Sequence, residues 1–227
     1  MQIQGILFDL DNTLTHREHS IDAYSLYLAE QFFPCYTRSD LKLIGEIIRS
    51  IDQGGYPDII SMTHPSIGDS VAFALLKQLD WKNPPSMQQL TEFWFQQFGL
   101  AAVAMDHAEA VLHKLKAMGY KLAVVSNGAH ATRLKIIEGL GFSHYFDLIM
   151  SSEAAGVSKP NAQIFHTTCA QLKLKPEQVL YIGDHPINDF LGATQAGLRA
   201  LLLQGFHAED VAEGYRIAKL TEIFDYL

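Results

Sequence analysis

The sequence predicts an α/β protein: a parallel sheet with helices on both faces, interrupted by an inserted all-helical domain. Three observations carry this. Short apolar runs alternate with helical patterns at 3–9 and again from about residue 100 onward, which is the arrangement of parallel strands joined by helical crossovers. Between about 15 and 99 the strand pattern disappears and helical stripes replace it. The apolar runs also end in polar clusters, and right-handed crossovers bring the carboxyl ends of parallel strands to one edge, where ligands sit.

The elements follow in order. Residues 3–9 form a buried strand that sends Ile6 and Phe8 to one face and Leu7 to the other. It stops at Asp9-Leu10-Asp11-Asn12-Thr13, a polar turn. The insert opens with a helix over 20–33, with Ser20 as N-cap and Pro34 as its stop. In 39–51, behind Ser39 or Asp40, Leu41, Ile44, Ile47, Ile48 and Ile51 share one stripe. Gln53-Gly54-Gly55-Tyr56-Pro57 is a loop by composition. Helices over 66–80 and 86–98 flank Asn83-Pro84-Pro85, and Phe93, Trp94, Phe95 and Phe98 are read as core of the insert.

The α/β pattern then resumes with a helix over 107–118, stopped by Gly119. A strand over 121–126 leads through Asn127-Gly128 to a helix over 130–139, followed by a strand over 147–151. After Ser158-Lys159-Pro160 come a helix over 161–172, a strand over 178–182 and the loop from Gly183 to Asp189. A helix over 189–196, a strand over 198–203 and a helix over 220–226 finish the chain. The expected division is 1–14 with 100–227 as the α/β domain and 15–99 as the helical one.

Composition narrows the function classes. With 227 residues, 48% of them hydrophobic, the chain can bury one large core and a smaller one. A net charge of −8 without any Lys/Arg cluster argues against a nucleic-acid polymer as partner. No apolar run reaches the length of a membrane span, and no basic segment followed by an apolar leader opens the chain. Cys35 and Cys169, far apart, make a disulfide framework improbable and a cytoplasmic location the expectation. The ten histidines show no zinc-protease spacing.

Four polar clusters follow successive core elements: Asp9 with Asp11, Ser126 with Asn127, Lys159, and Asp184 with Asp189. Taken singly they are an Asx turn, an ordinary turn, a loop lysine and a helix cap. Together they compose one chemistry. A carboxylate nucleophile needs a second carboxyl as acid and then base. Several acids at one point need a divalent cation, and oxygen ligands suit Mg²⁺. A hydroxyl and backbone N–H groups after a strand can hold phosphoryl oxygens, and a lysine supplies a point cation.

The order Asp9-Leu10-Asp11-Asn12-Thr13, then Ser126-Asn127-Gly128, then Lys159-Pro160, then Gly183-Asp184 with Asp189 resembles the haloacid dehalogenase-like (HAD) superfamily. The insert after the first motif resembles the cap of its type 1 subfamily, phosphatase branch. The resemblance implies a Rossmann-like core and a Mg²⁺-dependent phosphatase acting on a small phosphomonoester. By it, Asp9 is the nucleophile and Asp11 the general acid/base. Asp9, the Asp11 carbonyl and Asp184 hold Mg²⁺, with Asp189 as a further ligand or support. Ser126 and the Asn127 amide bind phosphoryl oxygens, Lys159 steadies nucleophile and phosphoryl group, and Thr13 hydrogen-bonds within the first loop.

Asp11 with Asp184 and Asp189 argues against the metal-free dehalogenases. The cap lysines Lys42, Lys77 and Lys82 all lie outside the first cap helix, against phosphonate cleavage. A sugar phosphomutase shares all four motifs, although Asn12 stands where mutases usually carry glycine. A catalytically silent binding relative is the competing class, and it would be expected to lose Asp9 or Asp11. A cap would close over the pocket, with His16, Arg17 and the Asp52–Pro57 loop as candidates for substrate contacts. His185 is read as a loop histidine, and the expected partner is a small phosphorylated metabolite. Monomer and homodimer both fit.

Overall fold

The computed structural model describes residues 2–208 and 210–227, which group into two compact units: Met1–Thr15 with Ala104–Leu227, and His16–Val103. In the first unit the described residues form one six-stranded sheet. Its strands are β1 (Gly5–Phe8), β2 (Lys121–Ser126), β3 (Leu148–Ser151), β4 (Val179–Gly183), β5 (Arg199–Leu203) and β6 (Arg216–Ile217). The order is β3-β2-β1-β4-β5-β6 with every pairing parallel. The chain leaves β1 toward β2 and β3, then returns to its other side at β4. That reversal is the switch point at which open α/β sheets bind ligands.

All four residues of β1 are buried, so its sequence is continuously apolar rather than alternating. Register places Phe8 opposite Val124 on one side and Ile182 on the other, so the three strands run out together. Leu7, Ala123, Val125, Val179 and Tyr181 pack with Ile164, Phe165 and Cys169 in one cluster. The last three belong to the helix Ala162–Leu172. The helix Ala108–Ala117 also lies against β2 and buries Val111, Leu112 and Leu115.

The helical unit is built from α1 (Arg17–Phe32), α2 (Arg38–Asp52), α3 (Ile67–Gln78) and α4 (Met87–Gln97). Ile21, Tyr24, Leu28, Ile44, Ile48, Leu75 and Trp94 lie in its core. Phe95, expected in that core, is exposed, because it sits one position round the helix from the buried Trp94. α1 starts three residues before Ser20. His16 is its N-cap, and the Ser20 hydroxyl instead donates to the His16 carbonyl and accepts from the Val103 N–H. Thr37 caps α2, and Asp40 completes a reciprocal capping box. The unit runs past residue 99 because Phe98 and Ala101 are buried in the helical core. Thr15 and Ala104 pair in the α/β unit, where Met105 N–H donates to Leu14.

Two expected helices differ in kind. Pro186–Leu191 is a wide π-type turn, followed by the short helix Gly192–Gln195, and Leu220–Tyr226 is a 3₁₀ helix. The helix Ser152–Ala155 and strand β6 are too short to leave a period in the sequence. No helix of the described residues is long and apolar enough to cross a membrane.

Candidate active site

The first loop winds around one carbonyl. Asp9 N–H donates to Ile182, extending the pairing of β1 by one residue, and the Leu10 carbonyl then accepts from the N–H groups of Leu14 and Thr15. It also accepts from the Thr15 hydroxyl. Asn12 closes the turn with φ 55°, a left-handed conformation that asparagine tolerates better than most residues. Both carboxylates are thereby buried, Asp9 at 2% exposure and Asp11 at 8%. Thr13 bonds within this loop through its backbone, its N–H donating to the same Leu10 carbonyl at 3.4 Å, while its buried hydroxyl has no hydrogen-bond partner among the described residues.

Lys159 reaches the same place from the loop after β3. Its Nζ donates to Asp9 Oδ1 at 2.6 Å, to Asp189 Oδ1 at 2.6 Å and to the Tyr181 hydroxyl at 2.9 Å. Burial pulls the lysine pKa down, but the charges of Asp189 and Asp9 outweigh it, and the net shift is upward. The group is an ammonium. Burial pushes the Asp9 carboxyl well up; Lys159 opposes this, while Asp189, Asp184 and Asp11 add to it. Asn127 has a task beyond its amide: its side chain donates to the Lys159 carbonyl and accepts the Lys159 N–H at 2.8 Å, bracketing the lysine loop.

Asp184 and Asp189 come from the end of β4. The His185 N–H donates to Asp189 Oδ2 at 3.0 Å, folding that carboxylate back over the strand end. Glycine is required at 183, where a methyl group would collide with the Asp189 carboxylate. His185 itself caps the turn, its Nδ1 accepting from the N–H groups of Ile187 and Asn188. Neither carboxylate oxygen of Asp184 has a well-aligned hydrogen-bond donor, although His207 Nε2 stands 3.2 Å from Oδ2. Burial raises the Asp184 pKa, with the His207 contact acting against it.

One carboxylate oxygen from each of Asp9, Asp184 and Asp189 lies within 4.8 Å of the others. The two oxygens of Asp189 already serve Lys159, Tyr181 and the His185 amide, whereas Asp184 has only His207, 3.2 Å from Oδ2, beside its carboxylate. Four buried aspartates face two buried cations, Lys159 and Arg133, with His207 beside Asp184, so carboxylates outnumber the buried cations. An all-oxygen donor set in which carboxylates outnumber cations fits a hard divalent cation.

Arg133 was missing from the expected site. Its NH1 donates to Asp11 Oδ2 at 2.6 Å, to Ser126 Oγ at 3.2 Å and to the Asn127 carbonyl at 3.2 Å. The signal was present in the helical period: Arg133, Ile136 and Ile137 are the buried residues of the helix His130–Gly139. An arginine at i with isoleucines at i+3 and i+4 lies on the apolar face. Tyr181, three residues before Asp184 inside a buried strand, carries no sequence signal that separates it from core.

His16 and Arg17 belong to the helical unit. Arg17 is buried, its Nε and NH2 donating to Asp52 Oδ2 and Oδ1 at 2.8 and 2.5 Å, with Phe98 under its guanidinium. Asp52 Oδ2 also accepts the Gly55 N–H, which ties down the loop after α2. His16 stacks on His19 one turn along α1.

A family model described as haloacid dehalogenase-like hydrolase matches residues 3–197. The chain is 26% identical over 231 residues to the glyceraldehyde 3-phosphate phosphatase of Methanocaldococcus jannaschii, covering 98% of this chain and 96% of that one. It is 37% identical over 94 residues to the enzyme of the same name from Methanothermobacter thermautotrophicus, covering 41% of this chain and 42% of that one. The chain spans about half the length of the curated relatives it first matches. Among solved structures, the HAD-hydrolase YfnB from Bacillus subtilis bound to magnesium aligns with a TM-score of 0.74 at 22% identity, over 100% of this chain and 99% of that one.

Proposed function

The chain belongs to the haloacid dehalogenase-like hydrolases, and from that premise we propose that it is a Mg²⁺-dependent phosphatase of small phosphomonoesters. One observation carries the reading. Asp9 and Asp11, two residues apart, are both buried but paired with different cations, Asp9 with Lys159 and Asp11 with Arg133. Two carboxylates held in different surroundings can take different parts in one reaction.

In this reading a carboxylate oxygen of Asp9 attacks phosphorus, and the bond from phosphorus to the leaving oxygen breaks. Asp11, entering the step in its protonated form, gives that oxygen its proton. Asp11, now a carboxylate, takes a proton from water as the water oxygen attacks phosphorus, which frees Asp9 and releases inorganic phosphate. Lys159, fixed by Asp189 and Tyr181, holds Asp9 in place and offsets charge on the phosphoryl oxygens. Ser126 and the Asn127 amide receive those oxygens. Asp9 and Asp184, with Asp189 as ligand or support, would hold Mg²⁺, which would neutralise the charge developing during transfer.

The substrate class is a small phosphorylated metabolite, and the relatives named glyceraldehyde 3-phosphate phosphatase put that compound first in any panel. The test is phosphate release across such a panel with Mg²⁺ and with EDTA. Release that requires Mg²⁺ supports the reading. Isomerisation of a sugar phosphate without phosphate release would make the chain a mutase, and Mg²⁺ binding with neither activity would make it a binding protein.

A further inference from the structure

We propose that Arg133 is a substrate-binding residue: its guanidinium receives an oxygen of the phosphoryl group beside Ser126 and, without substrate, rests on Asp11. This deepens the phosphatase reading and rests on it. Arg133 is 8% exposed, and the three acceptors it reaches are all served by one nitrogen, NH1. Its Nε is buried and has no hydrogen-bond partner among the described residues. A charged N–H left unpaired in a buried site is costly, so a buried guanidinium that only neutralised Asp11 would be poorly built for that task. A two-point contact, Nε with one terminal nitrogen, is how arginine holds carboxylates and phosphates; Arg17 makes such a contact with Asp52 in the same chain.

The surroundings fit an incoming anion. NH1 shares Ser126 Oγ, the hydroxyl assigned to a phosphoryl oxygen, so a ligand seated there lies within reach of the guanidinium. The plane of the guanidinium rests against Gly128, where a Cβ would come within 3.1 Å of Arg133 Cζ. Gly128 has φ 136°, a conformation that favours glycine. The Ser126-Asn127-Gly128 turn is therefore shaped both by the amides that face a phosphoryl group and by the arginine lying over it.

Inorganic phosphate is the probe. Its dissociation constant would be measured by titration calorimetry with Mg²⁺ present, for the wild-type chain, Arg133→Gln and Arg133→Lys, with KM and kcat on the best panel substrate. The expected result is a loss of phosphate affinity of about 10- to 100-fold in Arg133→Gln. KM should rise by a similar factor and kcat should change less. Lysine should restore part of the affinity through its charge alone. If Arg133→Gln folds poorly, Asp11→Asn/Arg133→Gln is compared with Asp11→Asn, a pair in which no buried carboxylate loses its cation. Wild-type protein that binds phosphate while the glutamine variant binds equally well overturns the assignment and leaves the phosphatase reading standing. Wild-type protein that binds no phosphate overturns both.

Discussion

Lys159 and Arg133 are buried cations at the same sheet edge, yet they are held in opposite ways. The lysine has one nitrogen and three partners, Asp9, Asp189 and Tyr181, on three separate stretches of chain. Its loop is bracketed from behind by the Asn127 side chain. The arginine crowds three acceptors onto one nitrogen and leaves Nε with none. One cation is saturated and fixed, while the other has capacity to spare. The proposed reaction, which keeps a nucleophile oriented while ligands exchange, needs both kinds, and here they fall to different carboxylates.

The largest effect should come from breaking the saturated side. Lys159→Met leaves Asp9 and Asp189 buried without their cation, an unfolding cost of about 3–5 kcal/mol. Urea denaturation of the metal-free protein should show it, and added Mg²⁺ should recover part of the loss. Activity should fall by on the order of 10²–10³-fold. Arg133→Gln, which strands one carboxylate rather than two, should cost less stability under the same conditions. Equal costs would erase the distinction between the two cations.

Next comes the stability carried by Asp9. Its pKa is raised in the folded chain, mainly by burial, so the ionised form is disfavoured relative to the unfolded chain. The penalty is absent below the ordinary carboxylate range and grows as pH rises from there toward the folded value. Metal-free Asp9→Asn should therefore melt higher than wild type near neutral pH, by about 2–4 °C per kcal/mol relieved. The gap should close as pH falls toward about 4. A gap that widened on acidification would contradict the assignment. The smallest effect belongs to Tyr181→Phe, which removes a hydroxyl shared by Lys159, Asp189 and the Val125 carbonyl. It should cost about 1 kcal/mol and lower kcat far less than loss of the lysine.

The same pair of residues marks how much was legible in the sequence. Lys159 precedes a proline in a polar loop after a strand, so its place at the sheet edge followed from topology. The alternating pattern likewise gave the parallel sheet and the helical insert, because burial on both faces leaves strands continuously apolar. Arg133 sits inside a helix, where charge is ordinarily a solvated face, and only its phase with Ile136 and Ile137 marked it as buried. For Thr13 the resemblance implied a bond within the first loop; the backbone N–H makes one to the Leu10 carbonyl, and sequence alone does not tell backbone from hydroxyl. Arg17 is a third case, since a partner 35 residues away leaves no trace in local pattern.

The proposed reaction runs through a phosphoryl group carried by Asp9. Rapid acid quench of the enzyme during turnover with Mg²⁺, followed by peptide mapping, tests this directly. A phosphoryl adduct on Asp9 that appears with substrate, and is lost together with turnover in Asp9→Asn, is the predicted result. Undiminished turnover in Asp9→Asn, or an adduct on another residue, would contradict it.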